Sequence, residues 1–161
     1  MHVERIDEHT VGLFGLDPIF CELLHQIVPS ADPGRDEAAN SRLFSSPSGG
    51  KEPEFDADWR SYVEPGLREL FQSHLDVVKE DLRDLPRRPQ EGPCSVEFPM
   101  AHVEHWLGAL NQARLALASR YGLTEEDMES IPAMNDPRGV VLFQVHLYGF
   151  LQECFLRELG Y

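Results

Sequence analysis

The stretch DPRGVVLFQVHLYGFLQECFLREL, residues 136–159, decides the fold. It predicts one long helix, because Pro137 follows Asp136 and an acid before a first-turn proline is typical of a helix start. Apolar residues cover most of the circumference of this helix, and a helix of that kind is normally surrounded by other elements. We therefore expect it at the centre of a helical bundle, or at an interface if the chain forms a homodimer.

Other helices are predicted from apolar residues spaced three and four positions apart. They run over about 17–28, 64–85, 100–121 and 124–130. In the last of these, Thr124 and Asp127 form a variant of the capping box. Two proline-rich stretches, 29–55 and 86–99, are expected to be connectors because proline is excluded from the interior of a helix.

The N-terminal segment 1–16 predicts a β-hairpin, since short apolar runs flank a polar turn. A hairpin alone is marginally stable in water, so it requires helices or a further strand to pack against. Residues 94–98 alternate between apolar and polar and predict that third strand. The expected fold is mainly α: a single domain over 1–161, with a bundle around the C-terminal helix and a small N-terminal sheet.

The charge balance argues against partners that carry negative charge. The chain has 161 residues, with 14 Lys and Arg against 28 Asp and Glu, and a formal charge of −14. Such a surface repels phosphate backbones and anionic lipid, so we expect no nucleic acid and no membrane as partner. Gln144, His146 and Glu153 also interrupt the most apolar stretch, which is unlike a membrane span.

The cysteines and the first residues favour the cytoplasm. Cys21, Cys94 and Cys154 are an odd number, lie far apart and form no CxxC pair, which argues against a disulfide framework and a zinc knuckle. Residues 1–9 carry acids where a secretory signal needs an apolar stretch. We therefore expect a protein of the reducing cytoplasm.

Only one pair of residues is a candidate for binding metal. His102 and His105 are three apart on a predicted helix and can share a face. Their spacing matches no metalloprotease motif, and two ligands do not complete a site. No nucleophile elbow and no phosphate loop is present, so the sequence predicts no catalytic residue, cofactor or metal. This favours a non-enzymatic protein.

Polar residues on otherwise apolar faces are the most informative feature. Arg114 interrupts the apolar stripe of helix 100–121, with Asn111 one turn before it. Tyr148, Gln152 and Glu153 lie on helix 136–159. We expect Arg114 and Glu153 to form an ion pair between the two helices, because a buried charge needs a partner. The alternative is a pocket in which this polar cluster binds a carboxylate or phosphate.

The same residues carry a family resemblance. The pattern Trp106-Leu-x-Ala-Leu-Asn-x-x-Arg-Leu115, followed by Tyr148-x-x-Leu-Gln-Glu153, resembles an uncharacterised bacterial family that is common in actinobacteria. Members are often encoded beside the adaptor of the Clp protease, so the resemblance implies a link to Clp proteolysis. The family has no established activity. We expect a non-enzymatic interaction or regulatory protein, monomeric or homodimeric, with a protein partner. The alternative is a small-molecule binder or enzyme.

Overall fold

A computed structural model describes all 161 residues and contains one three-stranded antiparallel sheet. The strands are β1 (His2–Arg5), β2 (Thr10–Leu16) and β3 (Cys94–Pro99), in the order β1-β2-β3. Both the hairpin and the third strand are therefore confirmed. Val96 and Phe98 are buried and alternate with exposed neighbours, as expected for a sheet with one face on a core.

The remaining regular elements are helices, which confirms a mainly α fold. In chain order the α-helices are α1 (Pro18–His25), α2 (Ile27–Ala31), α3 (Glu37–Phe44), α4 (Pro53–Asp58), α5 (Glu64–Asp81), α6 (Val103–Arg120), α7 (Glu125–Glu129) and α8 (Pro137–Glu158). A π-helical turn at Trp59–Val63 joins α4 to α5, and a 3-10 turn at Met100–His102 precedes α6.

Side chains cap the starts of three of these helices as the sequence predicts. The Asp17 carboxylate accepts hydrogen bonds from two backbone N–H groups at the start of α1, and Asp136 accepts one at the start of α8. Thr124 and Asp127 form both bonds of the capping box of α7. These bonds satisfy N–H groups that have no partner within the helix.

The stretch 29–55 differs from the predicted connector, because it contains α3 and the start of α4. Two of its four prolines lie at helix starts: Pro29 in the first turn of α2 and Pro53 at the first position of α4. There the missing N–H costs no helical hydrogen bond. The prolines thus delimit short helices, and α3 buries Leu43 and Phe44.

The helix at the centre of the bundle is α6, and the prediction that α8 would occupy the centre is wrong. Helices α2, α3, α5 and α8 all pack on α6. Small residues allow this close approach, since Ala109, Ala113 and Ala116 are fully buried. By contrast, α8 leaves Phe150 and Leu156 exposed, because no element covers its outer side.

The packing of α8 against the rest of the chain accounts for part of its high apolar content. By length and composition alone this helix is apolar enough to cross a membrane, yet half of its most apolar window is buried inside the chain. A core helix of a soluble protein has the same properties. Its buried face joins an aromatic cluster, in which Phe98 stacks on Trp106 with ring centroids 4.7 Å apart and Phe155 contacts both. This cluster connects the sheet, α6 and α8.

Candidate functional site

Arg114 lies between α6 and α8 and bonds to Gln152. Its Nη1 donates to Gln152 Oε1 at 2.6 Å, and Gln152 Nε2 donates to the Leu107 carbonyl oxygen at 3.2 Å. One glutamine therefore links the guanidinium to the backbone of α6. Because the Gln152 amide is neutral, Arg114 keeps an uncompensated positive charge in this arrangement.

The predicted ion pair between Arg114 and Glu153 is not among the salt bridges of this chain. Successive residues of a helix are rotated by about 100°, so Gln152 and Glu153 cannot both face α6. The structure directs Gln152 inward and leaves Glu153 exposed at the rim.

A shallow groove of about 400 Å³ surrounds the Arg114 side chain. We call it the Arg114 groove, and it is lined by Leu107, Asn111, Arg114, Gly149, Gln152, Glu153 and Leu156. Gly149 makes room for the guanidinium, since a Cβ at this position would lie 3.3 Å from Arg114 Cζ. The Nε atom of Arg114 is buried and has no hydrogen-bond partner. Three of the four other predicted cluster residues thus share one groove with Arg114.

Tyr148 lies away from that groove, although the sequence grouped it with Arg114. Its side chain is fully buried, and its hydroxyl donates to the Leu23 carbonyl oxygen at 2.7 Å. The same hydroxyl accepts from Gln144 Nε2 at 2.7 Å, and Gln144 also donates to Ser30 Oγ at 3.0 Å. Burial raises the pKa of Tyr148, so the phenol stays protonated. Its role is to tie α8 to the end of α1.

The two histidines that could have bound a metal have different partners. His102 Nδ1 lies 2.9 Å from Asp81 Oδ1, and the other oxygen of Asp81 accepts from Trp106 Nε1 at 2.8 Å. His105 Nδ1 instead lies 3.2 Å from Nδ1 of His74 on α5. No group of three or more His, Cys, Asp or Glu side chains is arranged to hold a metal ion.

His74 was missed by the sequence reasoning, although it lies on the face of α5 that turns toward α6. Burial lowers the pKa of His74, and a positive charge on His105 lowers it further, while the Glu104 carboxylate acts in the opposite direction. The position of His74 one residue before Leu75 in an apolar stripe was the signal that could have found it. Its pairing with His105 depends on the packing of α5 on α6.

A second surface feature, also missed, is an apolar depression of about 300 Å³ between α8 and the N-terminal elements. We call it the apolar patch, and it is lined by Met1, Phe20, Phe143, His146, Leu147 and Phe150. Phe150 is 48% exposed although it belongs to the most apolar helix. The Nε2 atom of His146 is buried there without a partner. The sequence indicated only that α8 is apolar on nearly all sides.

The chain is therefore a mainly helical protein with a small antiparallel sheet, an open polar groove and an apolar patch. The family described as a domain of unknown function (DUF2017) matches residues 5–159, and the chain belongs to this family. No curated protein and no solved structure matches the chain. The resemblance to an uncharacterised family is confirmed to this extent, while its bacterial origin and the link to Clp stay predictions.

Proposed function

We propose that this is a non-enzymatic interaction or regulatory protein whose partner protein docks on the apolar patch. The observation that carries this proposal is the exposure of Phe150 beside Phe143, Leu147 and Phe20 on one side of the molecule. Contiguous exposed apolar residues are disfavoured on a monomer unless they serve an interaction. Aromatic anchors of this kind contribute most of the binding energy in protein interfaces.

The partner we propose is a basic protein that inserts an apolar side chain into the patch. The chain has a formal charge of −14, and Asp17, the N-cap of α1, lies three residues before Phe20. Complementary charge accelerates encounter and suppresses wrong partners, whereas the apolar contact supplies affinity. The Clp proteolytic machinery enters this proposal through the family resemblance, and the cytoplasm through the free thiols.

An affinity pull-down from the native cell tests the proposal with three forms of the protein. The wild type should enrich Clp components, and Phe150→Asp should lose them because a carboxylate cannot enter an apolar interface without a large desolvation cost. Ile131→Asp is the matched control, since Ile131 is 93% exposed and lies outside the patch.

Two outcomes count against the proposal at different levels. Recovery that is equal for Phe150→Asp and the wild type would exclude the patch as the docking surface. Enrichment of no Clp component by any form would remove the link to Clp. In that case a basic protein retained by the wild type and Ile131→Asp, but not by Phe150→Asp, would still support docking on the patch.

A small-molecule binder or enzyme is the second candidate, and the Arg114 groove favours it. A guanidinium that lines an open groove can bind a carboxylate or phosphate in two-pronged fashion through its terminal N–H groups. Acetate and inorganic phosphate are suitable probes, followed by NMR of the Gln152 side-chain amide. If the groove binds small anions, the Gln152 amide signal should shift saturably as the probe is added to the wild type, and this shift should be absent in Arg114→Met. An unchanged amide signal at millimolar probe would exclude it.

A further inference from the structure

The fold brings together two cysteines that are far apart in the sequence. Cys21 lies on α1 and is fully buried, whereas Cys94 is the first residue of β3 and is half-buried. Leu16 connects them: it is the register partner of Cys94 across β2 and β3, and its carbonyl oxygen lies 3.9 Å from Cys21 Sγ. Cys94 shares the inward face of β3 with Val96, so its side chain is directed toward the helices.

The two thiols differ in a way that defines an order of reaction. Cys94 is reached by solvent, while Cys21 is not. Burial, and next to it a negative charge on nearby Cys94, raises the pKa of Cys21 to about 11. Cys21 is therefore a protonated, shielded thiol at neutral pH, and the thiolate is the form that attacks oxidants.

We infer that Cys94 and Cys21 form a redox-sensitive pair in which a hydroperoxide oxidises Cys94 and Cys21 then closes a disulfide. In the first step the Cys94 thiolate attacks the peroxide, the O–O bond breaks, and Cys94 becomes a sulfenic acid with release of water or alcohol after protonation. In the second step Cys21 sulfur attacks Cys94 sulfur, and the S–O bond breaks. The hydroxyl of the sulfenic acid and the Cys21 proton leave as water. The peroxide is reduced by two electrons, and the two thiols are oxidised by two.

Cys154 provides an internal comparison. It is also half-buried, and burial raises the pKa of its thiol, but it lies on α8 and no other cysteine influences it. A disulfide requires its two Cα atoms within about 7 Å, and the shared neighbour Leu16 suggests this only for Cys21 and Cys94. Cys154 should therefore stay a free thiol under conditions that oxidise the pair.

Peptide mapping of the full-length protein tests the pair. The reduced protein is treated with hydrogen peroxide, alkylated and digested, and a peptide that links Cys21 to Cys94, two hydrogens lighter than the two thiol peptides, is expected as the main cysteine product. Dithiothreitol should reverse it, and Cys154 should remain alkylated. The cross-linked form should also melt at a higher temperature, because a disulfide that closes a long loop restricts the unfolded chain.

Variants separate the two steps. In Cys21→Ser, dimedone should label Cys94 several-fold more than in the wild type, because no thiol resolves the sulfenic acid. Cys154→Ser should behave as the wild type does. If Cys21→Ser does not fold, Cys21→Ala supplies the same comparison with an apolar side chain. A wild type whose Cys94 stays labelled by dimedone and never joins Cys21 would overturn the inference, as would preferential pairing with Cys154.

Discussion

Arg114 illustrates how one neutral hydrogen bond can hold a charge at a helix interface. The guanidinium donates to Gln152 and rests on Gly149, while the groove leaves part of it in contact with water. Water lowers the cost of burying the charge, because the positive head keeps part of its hydration. A counter-ion is therefore not required, and Glu153 is free to stay at the rim.

The change Arg114→Met should accordingly cost only about 1 kcal/mol of unfolding free energy, the usual contribution of a hydrogen bond that water can replace. Urea denaturation measures it. A double-mutant cycle with Gln152→Leu should show coupling of more than about 0.5 kcal/mol, and one with Glu153→Gln should show almost none. Strong coupling to Glu153 would restore the ion pair that this geometry excludes.

Tyr148→Phe should cost about 1 to 3 kcal/mol, since it removes the donor of the Leu23 carbonyl oxygen and one partner of Gln144 within a sealed core. The measurement is the same urea titration. Tyr121→Phe is the control, because Tyr121 is 44% exposed and its hydroxyl makes no hydrogen bond within the chain. Equal stability of the two variants would contradict a structural role for Tyr148.

At the scale of single residues, the sequence predicted which helices carry the polar cluster but not which members meet. The apolar stripe around Arg114 correctly directed it toward α8. The partner depends on the rotation of α8 about its own axis, and a helix that is apolar on nearly all sides contains little information on that rotation. Tyr148 and Gln152 lie one turn apart on the same side of α8, yet packing alone directs Tyr148 to Leu23 on α1 and Gln152 to Leu107 on α6.

At the scale of elements, the sequence predicted where helices begin better than it predicted which elements pack around each helix. Asp17, Asp136 and Thr124 cap their helices through bonds within a few residues, so the sequence alone is sufficient. The central position of α6 depends on small residues such as Ala113, whose importance appears only when four helices meet there. α3 was missed because its prolines flank the helix without entering it.

The packing of α5 on α6 depends on a glycine. A Cβ at Gly108 would lie 2.7 Å from the ring of His74, which is itself packed against Phe71 and His105. Gly108→Ala should therefore destabilise the protein by about 1 to 3 kcal/mol, as overpacking does, despite the better helix propensity of alanine. Thermal melting measures the change.

Gly66 on α5 is the matched control, because a Cβ there meets nothing within 4 Å. Gly66→Ala should raise stability by up to about 1 kcal/mol through propensity alone. If Gly108→Ala stabilised the protein as much as Gly66→Ala, then α5 and α6 would be further apart than this structure has them.

At the scale of the whole molecule, a formal charge of −14 must coexist with a compact chain. Part of the repulsion is relieved because acids bond to N–H and hydroxyl groups, which holds the pKa of several carboxyl groups below the usual value. These carboxyl groups belong to Asp7, Asp36, Asp56 and Asp127. A carboxyl with a lowered folded-state pKa stabilises the fold above its unfolded pKa of about 3.8 to 3.9, and that contribution disappears only in stronger acid.

Mild acid should act on a different group, His74. Its pKa is lower in the folded protein than the unfolded value of 6.5, because it is partly buried and faces His105, with only Glu104 opposing. The unfolded chain therefore binds this proton more readily, so the contribution of His74 to stability is complete above pH 6.5 and decreases as the pH falls below it.

Urea midpoints measured from pH 7.5 to 5.0 should fall for the wild type and fall less for His74→Gln. His9→Gln, which changes an exposed histidine, should keep the wild-type slope. A wild-type slope retained in His74→Gln would mean that another group senses mild acid, and that the contact between α5 and α6 does not depend on a neutral His74.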